Sequence, residues 1–261
     1  MRRLIPIIVV MSHVFAAQSD FLQELVDRVA ANEKRVLLET ENYTFDYETS
    51  IAKYSDGDRV SSKTLESGEV YFSTRGSVYV PLARNGRPLK PRDIDKGRRL
   101  ALKKMESVAN ANGQPAREFG DRPWPGLRFG NVHMSVVDVL RYCRLEERGG
   151  PEPLLVVALD HCKSPWPTES HFPHIRGLVR IYRGDSTVES WEAWVKGSPK
   201  ESLIFEARTQ EGPGGLRWVQ FQRLNLAAAP HLFPKDRVEV SFRWSNWRRF
   251  DTVIATPPPY R

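Results

Sequence analysis

The side chains of this chain best suited to metal chemistry surround a proline-rich loop. Asp160, His161 and Cys162 stand before the loop, and His171 and His174 lie at its far end. Histidine and cysteine are common zinc ligands, so this set could serve a metal-dependent hydrolase. However, eight residues separate Cys162 from His171, and this spacing fits no common zinc finger. We therefore predict no bound metal and interpret the histidines as solvated loop residues.

Other patterns that carry catalysis are absent from the sequence. It contains no GxGxxG, P-loop, HExxH, paired CxxC or Gly-x-Ser-x-Gly motif. Adjacent carboxylates such as Glu146 and Glu147 are typical of solvated strand or turn positions. We predict no catalytic residues, no cofactor and a protein that is not an enzyme. An exported hydrolase that uses the His171 and His174 loop remains the least favoured alternative.

Cys143 and Cys162 are the two cysteines of the chain. If residues 142–146 and 154–160 are hairpin strands around Gly149 and Gly150, position 143 lies opposite about 157 or 158, and not opposite 162. A disulfide requires Cα atoms within about 7 Å of each other. The hairpin therefore favours two buried free thiols, although an oxidising compartment leaves a disulfide open.

Composition and charge restrict the class of protein. The chain has 261 residues, of which 40% are hydrophobic and 27% charged, and this is typical of a globular protein and excludes a disordered one. The net charge of +7 raises the question of nucleic acid. The basic residues are scattered among 32 acidic ones, and the leader described next indicates export, so we predict no nucleic-acid partner. Two interpretations of the positive charge remain. It could form a cationic face for anionic lipid head groups, or it could belong to an ordinary soluble surface.

Residues 1–16 are predicted to be a secretory signal. Two arginines precede an apolar run of about a dozen residues, and Val14 and Ala16 suit a cleavage before Ala17. A membrane span needs roughly 20 apolar residues, so an anchor is disfavoured and a buried core helix is the alternative. No cysteine near the cleavage site could carry a lipid. We expect a soluble periplasmic protein that is not lipidated.

The mature chain, residues 17–261, reads as one domain that begins with a helix and continues mainly as strands. Helical spacing indicates helices over 19–40 and 91–110 and a short one from 135, and a glycine- and proline-rich loop covers 112–131. Period-two alternation indicates about ten strands. We predict an α+β fold: a large curved antiparallel sheet, or half-open β-barrel, with two or three helices on its concave side.

The predicted sheet is wide, and the apolar faces of the few predicted helices are too small to cover its concave side. The uncovered part would be an apolar cavity, which is the usual form of a small-molecule or lipid site. Core packing is the alternative for any single aromatic residue. The large side chains that alternate along the strands form the predicted lining: Phe45, Tyr47, Phe72, Val80, Trp191, Phe205, Trp218, Phe242 and Trp244.

Three segments give the chain a family resemblance. They are the strand opening NYTF at 42–45, the turn ARNGRPL at 83–89 before a basic helix, and the closing strand VEVSFRWSNWRRF at 238–250. After a leader and an amphipathic helix, this order resembles the LolA-like superfamily, the exported bacterial lipoprotein-sorting proteins and their relatives. The resemblance implies a half-open barrel with helices over a cavity for acyl chains. It implies no catalytic residues.

The sequence therefore favours a monomeric periplasmic carrier that holds a lipid or a lipoprotein acyl chain and contacts a membrane peripherally. An envelope module of the same fold, which binds a partner protein through a sheet edge or through loop 112–131, is the alternative. The ligand, the partner and the strand order do not follow from the sequence.

Overall fold

Three α-helices, eleven strands and one short 3-10 helix (Pro213–Gly215) make up the described part of the chain, which a computed structural model covers at residues 5–40, 43–55, 59–71, 78–110, 136–162, 175–195, 203–226 and 238–249. The helices are α1 (Ile5–Thr40), α2 (Pro91–Asn110) and α3 (Val136–Tyr142). The first strands are β1 (Tyr43–Tyr54), β2 (Val60–Tyr71), β3 (Val78–Arg84), β4 (Arg87–Pro88), β5 (Arg144–Gly149) and β6 (Leu154–Asp160). The remaining strands are β7 (Ile175–Tyr182), β8 (Val188–Val195), β9 (Leu203–Glu211), β10 (Arg217–Asn225) and β11 (Val238–Arg249).

All eleven strands form one open sheet in the order β4-β3-β2-β1-β11-β10-β9-β8-β7-β6-β5. Every neighbouring pair is antiparallel. The first and last strands of the chain therefore meet in the middle, where β1 pairs with β11. The predicted α+β fold is confirmed, and the described strands form an open sheet with β4 and β5 at its two edges.

Strand register defines two faces of the sheet, because directly paired residues point to the same side. One row, which we call the inner face, crosses five strands through Thr49, Phe242, Gln222, Ala207 and Trp191. The row beside it, on what we call the outer face, runs through Glu48, Arg243, Phe221, Arg208 and Ser190.

Helix α1 covers part of the inner face with an apolar stripe. Its buried positions follow helical spacing, at Leu22, Leu25, Val26, Val29 and Val36. The first four pack with α3 and with inner-face residues of strands β6 to β10 in one core. Beside this stripe, the amide of Asn32 donates a hydrogen bond of 2.7 Å to the carbonyl of Asp185, in the turn between β7 and β8.

Helix α2 packs on the outer face, at the other end of the sheet. Ala101 of α2 is fully buried against Tyr71 and Val80. The Arg98 guanidinium donates two hydrogen bonds, of 2.9 and 2.7 Å, to the Glu69 carboxylate. Glu69 pairs with Val80 and with Asp46, so this contact lies on the side away from Tyr47. The three helices thus divide between the two faces of the sheet.

Cys143 and Cys162 form a disulfide, and the prediction of free thiols was wrong. Arg144 pairs with Asp160, which places Cys143 near Cys162. The prediction had centred the hairpin on its two glycines. The chain instead turns around residues 151–153 and adds a bulge between 147 and 149, so the register shifts by about four residues. The bridge ties the end of α3 to the end of β6.

Helix α1 begins at Ile5 and continues without a break past the predicted cleavage point. Among the described residues, no helix is long and apolar enough to cross a membrane. Two predicted features fall outside the described residues: loop 112–131, and the loop with His171 and His174.

Candidate ligand-binding site

The inner face carries two different apolar regions. The first, which we call the helix-covered core, joins α1 and α3 to strands β6 to β10. It contains Trp191 and Phe205, whose rings stack with their centroids 3.9 Å apart. Trp194, three residues after Trp191, lies on the outer face with Leu178 and Arg176. The two tryptophans thus point to opposite faces, as the strand alternation predicts.

The second region, which we call the strand-only cluster, lies on β1, β2 and β11. Phe45, Tyr47, Val70 and Trp244 are its buried members, each at most 2% exposed. Partly buried Val219, Phe242 and Trp247 pack against them. In the described part of the chain this cluster has no helical member. Strands alone therefore supply these large aromatic side chains.

Trp218 connects the two regions. It lies with Val36 of α1 and with Tyr43 in a small cluster of its own. Its ring centroid is 4.5 Å from that of Trp247, which in turn is 4.4 Å from that of Phe45. The Trp218 indole N–H donates a 3.1 Å hydrogen bond to the carbonyl of Pro213, so this buried ring leaves no donor unmatched.

The structure brings most of the predicted lining onto one face. Phe45, Tyr47, Phe242 and Trp244 lie in the strand-only cluster. Trp191 and Phe205 lie in the helix-covered core, and Trp218 lies between the two regions. Val80 faces the other way and packs under α2, because it pairs with Glu69 across a bulge in β3. Phe72 lies outside the described residues.

A polar network borders the strand-only cluster on β2 and β3. The Tyr47 hydroxyl donates a 2.8 Å hydrogen bond to Glu66, and Arg84 holds the same carboxylate at 2.7 Å. Burial, followed by the contact with Glu66, raises the pKa of Tyr47 well above its ordinary value. The Tyr79 ring packs edge-on against Tyr47 with 5.1 Å between the centroids. Tyr47 is therefore held as a neutral hydrogen-bond donor at this border.

Glu33 is a functional candidate that sequence reasoning missed. It stands four residues after Val29 and three before Val36, so it belongs to the apolar stripe of α1. Desolvation by the surrounding protein raises the pKa of Glu33 to about 7. The signal was present in the sequence, because continuing the helical spacing beyond Val29 places a carboxyl where an apolar residue is expected.

Gln222 is the second polar group on the inner face that the sequence did not single out. It is 5% exposed and lies between Ala207 and Phe242 on the neighbouring strands. Its side-chain oxygen has no hydrogen-bond partner among the described residues. Buried acceptors of this kind are uncommon, because leaving one unmatched costs about 1–3 kcal/mol.

The outer face is polar by contrast. Glu206 is buried between Arg208 and Arg223, and Arg180 pairs with Glu192 at 2.9 Å. Two open grooves lie on this face. One, of about 410 Å³, includes Leu65 and Phe221, and the other, of about 440 Å³, includes Arg176 and Trp194. Ion pairs between neighbouring strands therefore stabilise the outer face, which points away from the apolar regions.

The described residues hold no group of three or more side chains suited to a metal ion. Cys162 is bonded to Cys143 and so is not a thiolate ligand. The remaining members of the predicted set, His171 and His174, lie outside the described residues.

Neither a family model nor a curated protein matches this chain. Solved structures do. The chain is similar to LolA-superfamily and lipoprotein-sorting structures. A domain assigned to outer membrane lipoprotein sorting in Vibrio parahaemolyticus has 9% identity and a TM-score of 0.41, covering 88% of this chain and 93% of its own. A DUF1329 family protein from Desulfovibrio piger has 12% identity and a TM-score of 0.38, with the same two coverages. A LolA superfamily protein from Nitrosomonas europaea has 9% identity and a TM-score of 0.35, covering 90% of this chain and 97% of its own. At such identities the likeness concerns the fold.

Proposed function

We propose that this protein is an exported, non-enzymatic carrier that holds a lipid or a lipoprotein acyl chain against the inner face of its sheet. One observation carries the proposal. Beyond the helix-covered core, the inner face carries a second group of large aromatic side chains, the strand-only cluster, whose described members all come from strands. A flexible apolar chain is the ligand that such a surface accommodates.

The polarity of the rest of the molecule supports this assignment. Charge pairs such as Arg180 with Glu192 occupy the outer face, and helix α2 covers part of it. These charge pairs favour the inner face as the side that holds an apolar ligand. Peripheral contact with a membrane, and a periplasmic location after removal of residues 1–16, belong to the same proposal.

Lipid extraction and native mass spectrometry of the purified protein test the proposal directly. We expect acyl species to copurify and to dissociate from the folded protein in organic solvent. Absence of any bound acyl species, together with failure to bind a fluorescent fatty-acyl probe, would overturn the carrier function.

A matched pair of substitutions locates the ligand. Phe242 and Phe221 occupy adjacent strands but opposite faces, since Phe242 pairs with Gln222 and Phe221 with Arg243. We expect Phe242→Ala to weaken binding of the fluorescent acyl probe roughly tenfold, a loss equal to about 1.4 kcal/mol of apolar contact. Phe221→Ala should leave the affinity unchanged. Equal effects of both substitutions would place the ligand elsewhere.

A protein-interaction module of the same fold is the second candidate, and strand β5 favours it. Within the described ranges β5 pairs with β6 alone and forms an edge of the sheet. Extended peptides add to such edges. Glu146→Pro removes a backbone N–H from this edge strand. It should therefore abolish capture of a partner protein from envelope extract and leave acyl-probe binding intact.

A further inference from the structure

The apolar stripe of α1 is interrupted by one carboxyl. Val29 and Val36 are buried on either side of Glu33, at 0% and 7% exposure. Glu24 and Arg28, which form an ion pair on the exposed side of the same helix, show where charged residues of α1 otherwise lie. Glu33 instead shares the side of the helix that faces the sheet.

The surroundings of Glu33 indicate an internal polar position rather than a surface one. Part of its surface is accessible, and yet the protein around it strips the carboxyl of enough water to raise its pKa to about 7. Below neutral pH, Glu33 is therefore largely an uncharged acid, which both donates and accepts hydrogen bonds.

Gln222 presents the complementary feature from the other layer. Its side-chain oxygen is an acceptor without a donor among the described residues, on the inner face between Ala207 and Phe242. An ester or a hydrocarbon has no hydrogen to donate and cannot satisfy it. A hydroxyl or a secondary amide can.

We propose that Glu33 and Gln222 are the polar contacts of the acyl site, and that Gln222 selects ligands whose apolar chain carries a hydrogen-bond donor, a hydroxyl or an amide N–H. This inference rests on the proposed carrier function. The Gln222 oxygen accepts the hydrogen bond from the ligand, and Glu33 binds the oxygen of the same polar group. The surrounding aromatic side chains contact the hydrocarbon.

Displacement of a fluorescent acyl probe tests the selection with three ligands of equal chain length: dodecanol, N-methyldodecanamide and methyl dodecanoate. The wild-type protein should bind the two donor-bearing ligands about tenfold more tightly than the methyl ester, which is the difference expected for one buried hydrogen bond. Gln222→Leu should remove this preference and leave affinity for the methyl ester unchanged or higher. Glu33→Leu should weaken binding of all three ligands, because each of them carries an oxygen that the Glu33 acid can contact.

Matched controls keep the result specific. Gln220 is exposed on the same strand and Glu24 is exposed on the same helix, so Gln220→Leu and Glu24→Leu should preserve the preference. Glu33→Gln retains hydrogen-bonding groups and should preserve most of it, which covers the case that a leucine variant does not fold. Equal affinity of the wild-type protein for all three ligands would overturn the selection while leaving the carrier function standing. Failure of all three to displace the probe, or of the probe to bind, would overturn both.

Discussion

The two apolar regions of the inner face differ in what covers them. Helices α1 and α3 pack over the helix-covered core, and Val29, Val157 and Val179 there have no exposed surface. The strand-only cluster has comparably buried aromatic residues, such as Phe45 and Trp244, but its described members all come from strands. One region is a conventional helix-on-sheet core, and the other draws its described members from strands alone.

This difference has a consequence for function. A core held between two layers loses stability when it opens, because each residue has partners in both layers. A surface built within one layer can exchange its contacts for those of a ligand at lower cost. We therefore expect stability to depend chiefly on the helix-covered core, and ligand binding to depend on the strand-only cluster and its borders.

The largest expected effect comes from Phe205 in the helix-covered core. It is 2% exposed and stacked on Trp191, so Phe205→Ala should lower the free energy of unfolding by about 4 kcal/mol. Phe242→Ala, in the strand-only cluster, should cost about 1 kcal/mol, because Phe242 is only partly buried. Urea denaturation of both variants measures the difference. Equal losses would contradict the contrast between the two regions.

The disulfide should contribute the next largest effect, again on the helix-covered side. It joins positions 19 residues apart and fastens the end of α3 to β6. Replacing both cysteines by serine should lower the free energy of unfolding by about 3 kcal/mol, the size expected for closing a loop of this length in the unfolded chain. A reducing agent should destabilise the wild-type protein by a similar amount and leave the double variant unaffected. Unchanged stability of the wild-type protein under reduction would contradict the bridge.

Sequence patterns predicted the sheet well, since alternation of residues such as Val238 and Val240 with Glu239 follows directly from the pleat. They failed at the cysteines, because register in a hairpin depends on where the turn is centred, and prolines moved it away from Gly149. They assigned Val80 to the predicted lining, whereas it packs under α2, because a bulge in β3 lies between Val80 and Ala83. Glu33 was within reach of the helical spacing, whereas the unmatched oxygen of Gln222 becomes visible only with the neighbouring strands in place.

Glu33 provides a pH-dependent test at the boundary of the two regions. Its pKa rises from an ordinary value of 4.5 to about 7 in the folded protein. Between these values the folded protein keeps a proton that the unfolded chain has lost, so the free energy of unfolding falls as the pH rises from 4.5 to 7. We expect a fall of about 2 kcal/mol, allowing for the remaining solvent access of the side chain. Glu33→Gln should remove this part of the pH profile and Glu24→Gln should not. A wild-type profile unaltered by Glu33→Gln would show that the carboxyl is solvated.

The smallest effect concerns the outer face beneath α2, where one ion pair fixes the helix. Arg98 contacts Glu69 through two nitrogens, and the carboxylate side chain is 13% exposed, so the pair is more protected than a surface salt bridge. Arg98→Met retains the aliphatic contacts, and it should cost about 1 kcal/mol and increase hydrogen exchange in α2. The matched variant Arg99→Met should cost less than about 0.5 kcal/mol, because Arg99 is exposed and its hydrogen bond to the Asp95 carbonyl within α2 is long, at 3.4 Å. Because this contact lies on the face away from Tyr47 and Trp244, Arg98→Met should leave acyl-probe affinity unchanged. A loss of affinity in this variant would mean that α2 bears on the ligand and that the outer face is not independent of the inner one.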